Sequence, residues 1–191
     1  MDKYLEVSKY IDWDTPEVAK KAKELLQKDN NGTIKACFEF VRDEIKHSND
    51  YKLNPITVKA SDVLKHKTGY CYAKSHLLAA LLRANNIPAG LCYQRLTVSD
   101  DGTCGKFCLH GLNAVYLNDY GWYRIDARGN KENVYAVFSP PEEQLAYPIR
   151  FVGEKDLPEI WHEPLKIVTD VLESYNDYAE VAQHLPDIQT I

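Results

Sequence analysis

The stretch Gly69-Tyr70-Cys71-Tyr72-Ala73-Lys74-Ser75-His76-Leu77-Leu78-Ala79-Ala80-Leu81-Leu82-Arg83-Ala84-Asn85-Asn86-Ile87-Pro88-Ala89 decides the fold. From about Gly69–Cys71 to Leu82 its apolar residues cover most of a helical circumference, which predicts a largely buried central helix. Asn85-Asn86-Ile87-Pro88 ends that helix, because proline cannot continue the hydrogen-bond ladder. Cys71 falls in the first turn. Unpaired backbone amides and the positive end of the helix dipole there favour a thiolate, which is the nucleophilic form. A small buried apolar residue fits the same position equally well.

Upstream of this helix the pattern is helical. Thr15-Pro16 predicts a capped helix running to about Lys28, and Asn30-Asn31-Gly32-Thr33 opens a second. The second carries Ile34, Cys37, Phe38, Val41 and Ile45 as one apolar stripe. His47–Lys59 is polar, contains Pro55 and reads as a long loop able to cover a cleft. Ser61–Leu64 reads as a short capped turn. Downstream the period changes to that of strands: Ala89–Val98, Leu109–Leu117 and Trp122–Ala127, punctuated by Asp100-Asp101-Gly102 and Asn118-Asp119-Tyr120-Gly121. Short strands at 135–138 and 150–152 and a last helix from Leu165 to about Ala182 complete the reading. Helices followed by an antiparallel meander indicate an α+β fold, with helices packed on one side of the sheet.

The 191 residues carry a net charge of −5 and are 45% hydrophobic and 27% charged. That composition is globular, and the acidic balance argues against nucleic acid or an anionic membrane surface as partner. Met1–Glu6 holds no apolar signal stretch, so the expectation is a soluble cytoplasmic protein. With no repeat or linker-like tract, residues 1–191 read as a single domain. The five cysteines (Cys37, Cys71, Cys92, Cys104, Cys108) form an odd set without an export signal, which argues against a disulfide framework.

A thiolate nucleophile needs a base, and the base needs an orienting group. His110 begins one strand of the expected hairpin and Asp126 ends the next. If Leu117–Gly121 is a five-residue loop, Tyr116 pairs with Trp122 and Asp126 lies opposite Leu112. His110 is then a diagonal neighbour, roughly 7–8 Å from Asp126 and within side-chain reach. A four-residue loop puts the two on opposite faces.

The central stretch resembles the nucleophile segment of the transglutaminase-like superfamily: a glycine two before the cysteine, a leucine-rich helix ending in Leu82-Arg83, and Ile87-Pro88-Ala89 leading into a strand. The helix ending Phe40–Lys46, the run Ala60–Leu64, Leu109-His110-Gly111 with Ala114–Leu117, and Gly121–Asp126 resemble further family segments, so the likeness spans about residues 34–130. Residues 131–191 read as an extension packing on that core, with Leu165–Tyr178 also available to a second copy. The resemblance implies a transglutaminase-core, papain-like cysteine-enzyme fold with Cys71, His110 and Asp126 as catalytic residues. It also implies attack on a protein or peptide amide through a thioester, resolved by an amine or by water; with no acidic cluster upstream of these residues to suggest calcium sites, no cofactor and no metal are expected. The departures are Gly111, where an aromatic is frequent, Ala127 in place of proline, and Asn86 in place of glycine. One oxyanion donor is expected to be the Cys71 amide; candidates for the second are Asn49, Tyr51, Asn54 and Gln94.

The competing reading is a non-catalytic peptide- or protein-binding module on the same fold. Cys104 and Cys108, four apart, lack the spacing of a zinc pair and read as free thiols or a redox-labile couple. His76 is five residues after Cys71 and off its face, so it reads as a core histidine. Trp122 shares a strand face with Arg124 and Asp126 and reads as core or cleft wall.

Overall fold

The computed structural model describes residues 1–99 and 101–188; Asp100, read above as part of a turn, lies outside the described residues. The elements in chain order are α1 (Pro16–Leu25), α2 (Asn30–Glu44), β1 (Lys46–His47), α3 (Ser48–Tyr51), α4 (Ala60–His66), β2 (Thr68–Gly69), α5 (Cys71–Ala84), β3 (Ala89–Thr97), β4 (Phe107–Leu117), β5 (Gly121–Ile125), β6 (Val137–Ser139), β7 (Glu142–Gln144), β8 (Lys155–Asp156), α6 (Lys166–Ser174) and α7 (Tyr178–Gln183). The principal sheet runs β5-β4-β3-β8 with antiparallel neighbours.

The sheet follows from alternation along its strands. Leu109, Val115 and Leu117 of β4 join Leu77, Leu81 and the α2 stripe in the main core. Leu112 and Ala114, on the opposite face, join Cys92 in a smaller cluster with Trp122, Leu145 and Ile160 against it. Helices therefore pack on one face, as the sequence predicts. Asn113 spans the layers, donating through Nδ2 to Ser75 O of α5 at 2.9 Å.

The central helix is buried almost throughout, including Lys74, His76 and Arg83. Each buried polar group meets a backbone acceptor, as burial requires. Lys74 Nζ donates to the carbonyls of Ile45 and Arg42, which lie at the open end of α2. Arg83 donates to Ala89 O, Glu6 O and His162 O, and so ties the chain's beginning and its far segment to the end of α5. His76 is a core histidine, its Nδ1 2.7 Å from Val58 O. Asn86 adopts φ 57°, a left-handed conformation that asparagine tolerates where glycine is the usual choice.

Several boundaries differ from expectation. Thr15 does not cap α1 through its side chain, because its hydroxyl is committed to Asp12 O, and the helix ends at Leu25. Within 47–59 the chain forms the short α3, and Pro55 follows a cis peptide bond. No strand forms at 150–152, where Val152 is fully exposed; strand pairing occurs instead at β8. The final helix divides into α6 and α7, because Asp177 caps a new start by accepting from Ala179 N at 2.8 Å. Trp122 packs on Tyr4 and Tyr116 with ring centroids at 4.7 and 5.7 Å and lies half-buried against the smaller cluster, away from the cleft.

Gly111 sets how closely β4 approaches α5. A Cβ there would lie 2.9 Å from the Tyr72 ring and 3.1 Å from the Tyr72 Cα. The Tyr72 hydroxyl is itself tied to Leu109 O, so neither neighbour can move aside. We expect Gly111→Ala to cost about 1–3 kcal/mol by overpacking. Urea denaturation measures this, and an unchanged midpoint would contradict it.

Candidate active site

Cys71 is the first residue of α5, and Tyr70 precedes it without a side-chain cap. The Tyr70 hydroxyl is turned away, donating to Tyr178 O at 2.5 Å. The amides of the first turn of α5 are thus left without a side-chain acceptor, beside the sulfur. The Gly111 amide approaches Cys71 Sγ at 3.5 Å, a contact that the missing Cβ permits.

The hairpin has the register that brings His110 and Asp126 together. Tyr116 pairs with Trp122 and the ladder ends at Asn113 with Ile125, so Asp126 follows directly past β5 as His110 lies three residues before Asn113 on β4. His110 Nε2 lies 2.7 Å from Asp126 Oδ2. Asp126 Oδ1 accepts from Arg128 N and Oδ2 accepts from Ala146 N, both at 3.1 Å. Cys71, His110 and Asp126 are 7, 5 and 1% exposed, so the group is dry enough to strengthen its electrostatics.

These charges support one another. Burial pushes His110 toward neutrality, but the charge and hydrogen bond of Asp126, with smaller contributions from Cys71, raise it to about 10. Burial likewise opposes ionisation of Asp126. The charge and hydrogen bond of His110, followed by the Arg128 and Ala146 amides, keep it below the usual carboxylate range. The imidazolium–carboxylate couple is therefore the favoured state near neutrality.

Contacts from Tyr147 and Arg128 back this couple. The Tyr147 ring stands edge-on to His110 at 5.0 Å, and the Arg128 guanidinium lies 5.6 Å from the Tyr147 centroid. Arg128 also grips Asp50 through Nη1 and Nη2 at 2.5 and 3.0 Å, which fastens α3 beside the site. His47, unassigned from sequence, lies here with Nδ1 3.8 Å from Asp50 Oδ2. Burial, then the Arg128 charge, lowers its pKa and leaves it neutral. The sequence signals for Arg128, Tyr147 and His47 were single residues without spacing or repetition, so only the folded chain reveals them.

A cleft of about 230 Å³ contains Cys71 and His110. Of the four candidates for a second oxyanion donor, Asn49 lines it. Asn54 is engaged by Asp177 and the Tyr178 amide, and Gln94 by Tyr147 O and Asp156. Tyr51 is 56% exposed and faces a neighbouring hollow. A larger hollow of about 740 Å³ adjoins the cleft across Val98, Ala182 and Leu185 but includes none of Cys71, His110 and Asp126. Cys104 is exposed and Cys108 half-buried; both are free thiols. Among the described residues no group of three or more His, Cys, Asp or Glu is placed to hold a metal ion, and no helix is long and apolar enough to cross a membrane.

The pH dependence of the couple has a definite sign. Because the folded pKa of His110 is raised, its stabilising effect is complete below the unfolded value near 6.5 and is lost as pH rises toward about 10. Unfolding free energy should fall across that window, and Asp126→Asn should flatten the slope. Histidine ring NMR should show the His110 midpoint displaced upward in the wild type and lowered in the variant. An ordinary midpoint in the wild type would refute the coupling.

Known proteins place the chain. The profile described as the transglutaminase-like superfamily matches residues 17–127. A solved structure of a candidate cysteine protease from Cytophaga hutchinsonii aligns with a TM-score of 0.51 and 20% identity, covering 65% of this chain and 40% of that one. The periplasmic domain of TgpA from Pseudomonas aeruginosa aligns with a TM-score of 0.48 and 20% identity, covering 65% of this chain and 45% of that one. The chain thus spans less than half the length of either. No curated protein matches it. With more than half of its length matched by the family profile, the chain belongs to the transglutaminase-like superfamily.

Proposed function

We propose that the protein is a cysteine-dependent acyl-transfer enzyme acting on a protein or peptide amide, with Cys71 as nucleophile, His110 as acid and base, and Asp126 as orienting carboxylate. The observation that carries this reading is the buried His110–Asp126 couple set beside a sulfur at the head of α5.

In the first half-reaction the Cys71 thiolate attacks the amide carbon, and the carbonyl electron pair moves onto oxygen. The Cys71 amide at the helix start stabilises that oxyanion, with the Asn49 side chain as second donor. The tetrahedral adduct collapses, the C–N bond breaks, and the His110 imidazolium gives its proton to the departing amine. A thioester on Cys71 remains. In the second half-reaction neutral His110 takes a proton from water or from an incoming amine as that group attacks the thioester. Collapse then expels the thiolate and regenerates the ion pair. Asp126, bonded to Nε2, holds the ring and stabilises its cationic form. Water as the second reactant gives hydrolysis, and an amine gives transfer.

Two measurements test the proposal. Iodoacetamide should alkylate Cys71 much faster than the other cysteines at pH 6–7, whereas equal rates would favour a binding module. Incubation with glutamine-containing peptides should yield a covalent adduct on Cys71 by mass spectrometry, with loss of ammonia or an amine. Cys71→Ala should abolish it, and Asp126→Asn should lower turnover on the order of 10⁴-fold. A variant at either position with wild-type turnover would refute the assignment.

A further inference from the structure

The last described segment, 178–188, lies outside the residues matched by the family profile, yet it forms one wall of the cleft. It is tied to the immediate neighbours of both reacting residues. Tyr70, which precedes Cys71, donates its hydroxyl proton to Tyr178 O at 2.5 Å. Leu109, which precedes His110, donates its amide to Pro186 O at 2.7 Å. Farther along, Arg95 grips Asp187 at 2.6 and 2.8 Å, and Asn54 bonds Asp177 and the Tyr178 amide. These hydrogen bonds, at both ends of residues 177–187, fix the segment relative to the sulfur and the imidazole.

What those side chains present is apolar. Ala182 and Leu185 of this segment line the cleft together with Leu96 of β3 and Val98 just past it. Val98 is 49% exposed and Leu185 is only half-buried, so apolar surface is left open beside the nucleophile. The charged residues of the cleft, Arg128 and Arg150, are cationic, and among the described residues no carboxylate lines it. The one carboxylate of the segment near this wall, Asp187, is already neutralised by Arg95.

We propose that residues 178–187 are a specificity element: with Leu96 and Val98 they build a subsite that takes a large apolar side chain of the acyl donor, of leucine or phenylalanine size, beside the scissile amide. This rests on the acyl-transfer reading and names its substrate class. An apolar side chain seated here covers Val98 and Leu185 and helps to exclude water from the thioester. A lysine side chain meets no acidic partner there but the Arg150 cation, Arg128 being paired with Asp50. The family core carries the reaction, and the added segment selects the substrate.

The test compares peptide amides that differ only at the residue beside the scissile amide, with leucine, phenylalanine, glycine or lysine there. The wild type should turn over the leucyl donor with a kcat/KM at least about tenfold above the glycyl donor, the discrimination expected of a few buried methylenes. Leu185→Ala should shrink that ratio below about threefold, mainly through KM, and Ala182→Leu should shift preference toward the glycyl donor by narrowing the subsite. Both variants should keep the wild-type rate of Cys71 alkylation by iodoacetamide, which is too small to use the wall. A ratio unchanged in both variants, or a preference for the lysyl donor, would overturn the proposal while leaving acyl transfer intact. The same peptides are also titrated calorimetrically into Cys71→Ala. A leucyl preference there that Leu185→Ala removes, without turnover of any donor by the wild type, would support the subsite and discard the acyl-transfer reading. No preference in either assay would overturn the subsite.

Discussion

A carboxylate sealed from water is the constraint around which this structure is arranged. Asp126 is 1% exposed, and an isolated charge in such a place would be heavily penalised, whereas a paired and hydrogen-bonded one is tolerated. The pairing draws on distant parts of the chain: the ring of His110 from β4, the Arg128 amide just beyond β5, and the Ala146 amide from the region between β7 and β8. Each must be in place for the charge to be bearable. The site is thus organised by a solvation requirement as much as by a chemical one.

The central helix solves a related problem with the opposite sign. It is buried on all sides yet carries Lys74 and Arg83. Neither makes an ion pair shorter than 4 Å in the described residues; both instead satisfy backbone carbonyls at places where secondary structure stops. Lys74 is lowered to about 7, by burial first and then by the Arg128 charge. The cost of holding these amine and guanidinium groups inside is met by carbonyl dipoles at the end of α2 and at the turn into β3. Those contacts seat α5, and with it the sulfur, against the rest of the fold.

Much of this was legible in the residues. The apolar periodicity of 73–82 and its stop at Pro88 gave the central helix, whereas the turn after Leu117 left two registers open, of which the structure adopts the one that joins His110 to Asp126. What was not legible depends on contacts distant in sequence. The division between α6 and α7 depends on Asp177 capping a new helix despite a continuous apolar stripe across the break. The missing strand at 150–152 reflects the absence of a partner for residues whose local preference is extended. The roles of Arg128 and Tyr147 needed the chain folded back on itself, because each acts through a residue some twenty to eighty positions away. Gly111, a departure from the family pattern, is explained by steric fit against Tyr72 rather than by chemistry.

The Ala146 amide has an implication for where this molecule can be cut. A fragment trimmed to the profile boundaries at 17 and 127 would retain Cys71, His110 and Asp126 while discarding two of the donors that solvate the carboxylate. It would also lose Glu6 and His162, whose carbonyls receive Arg83. Such a truncation would keep the family's signature letters and forfeit the amide donors that help Asp126 to carry its charge beside His110. Homology marks where ancestry is detectable; the physical unit here is wider.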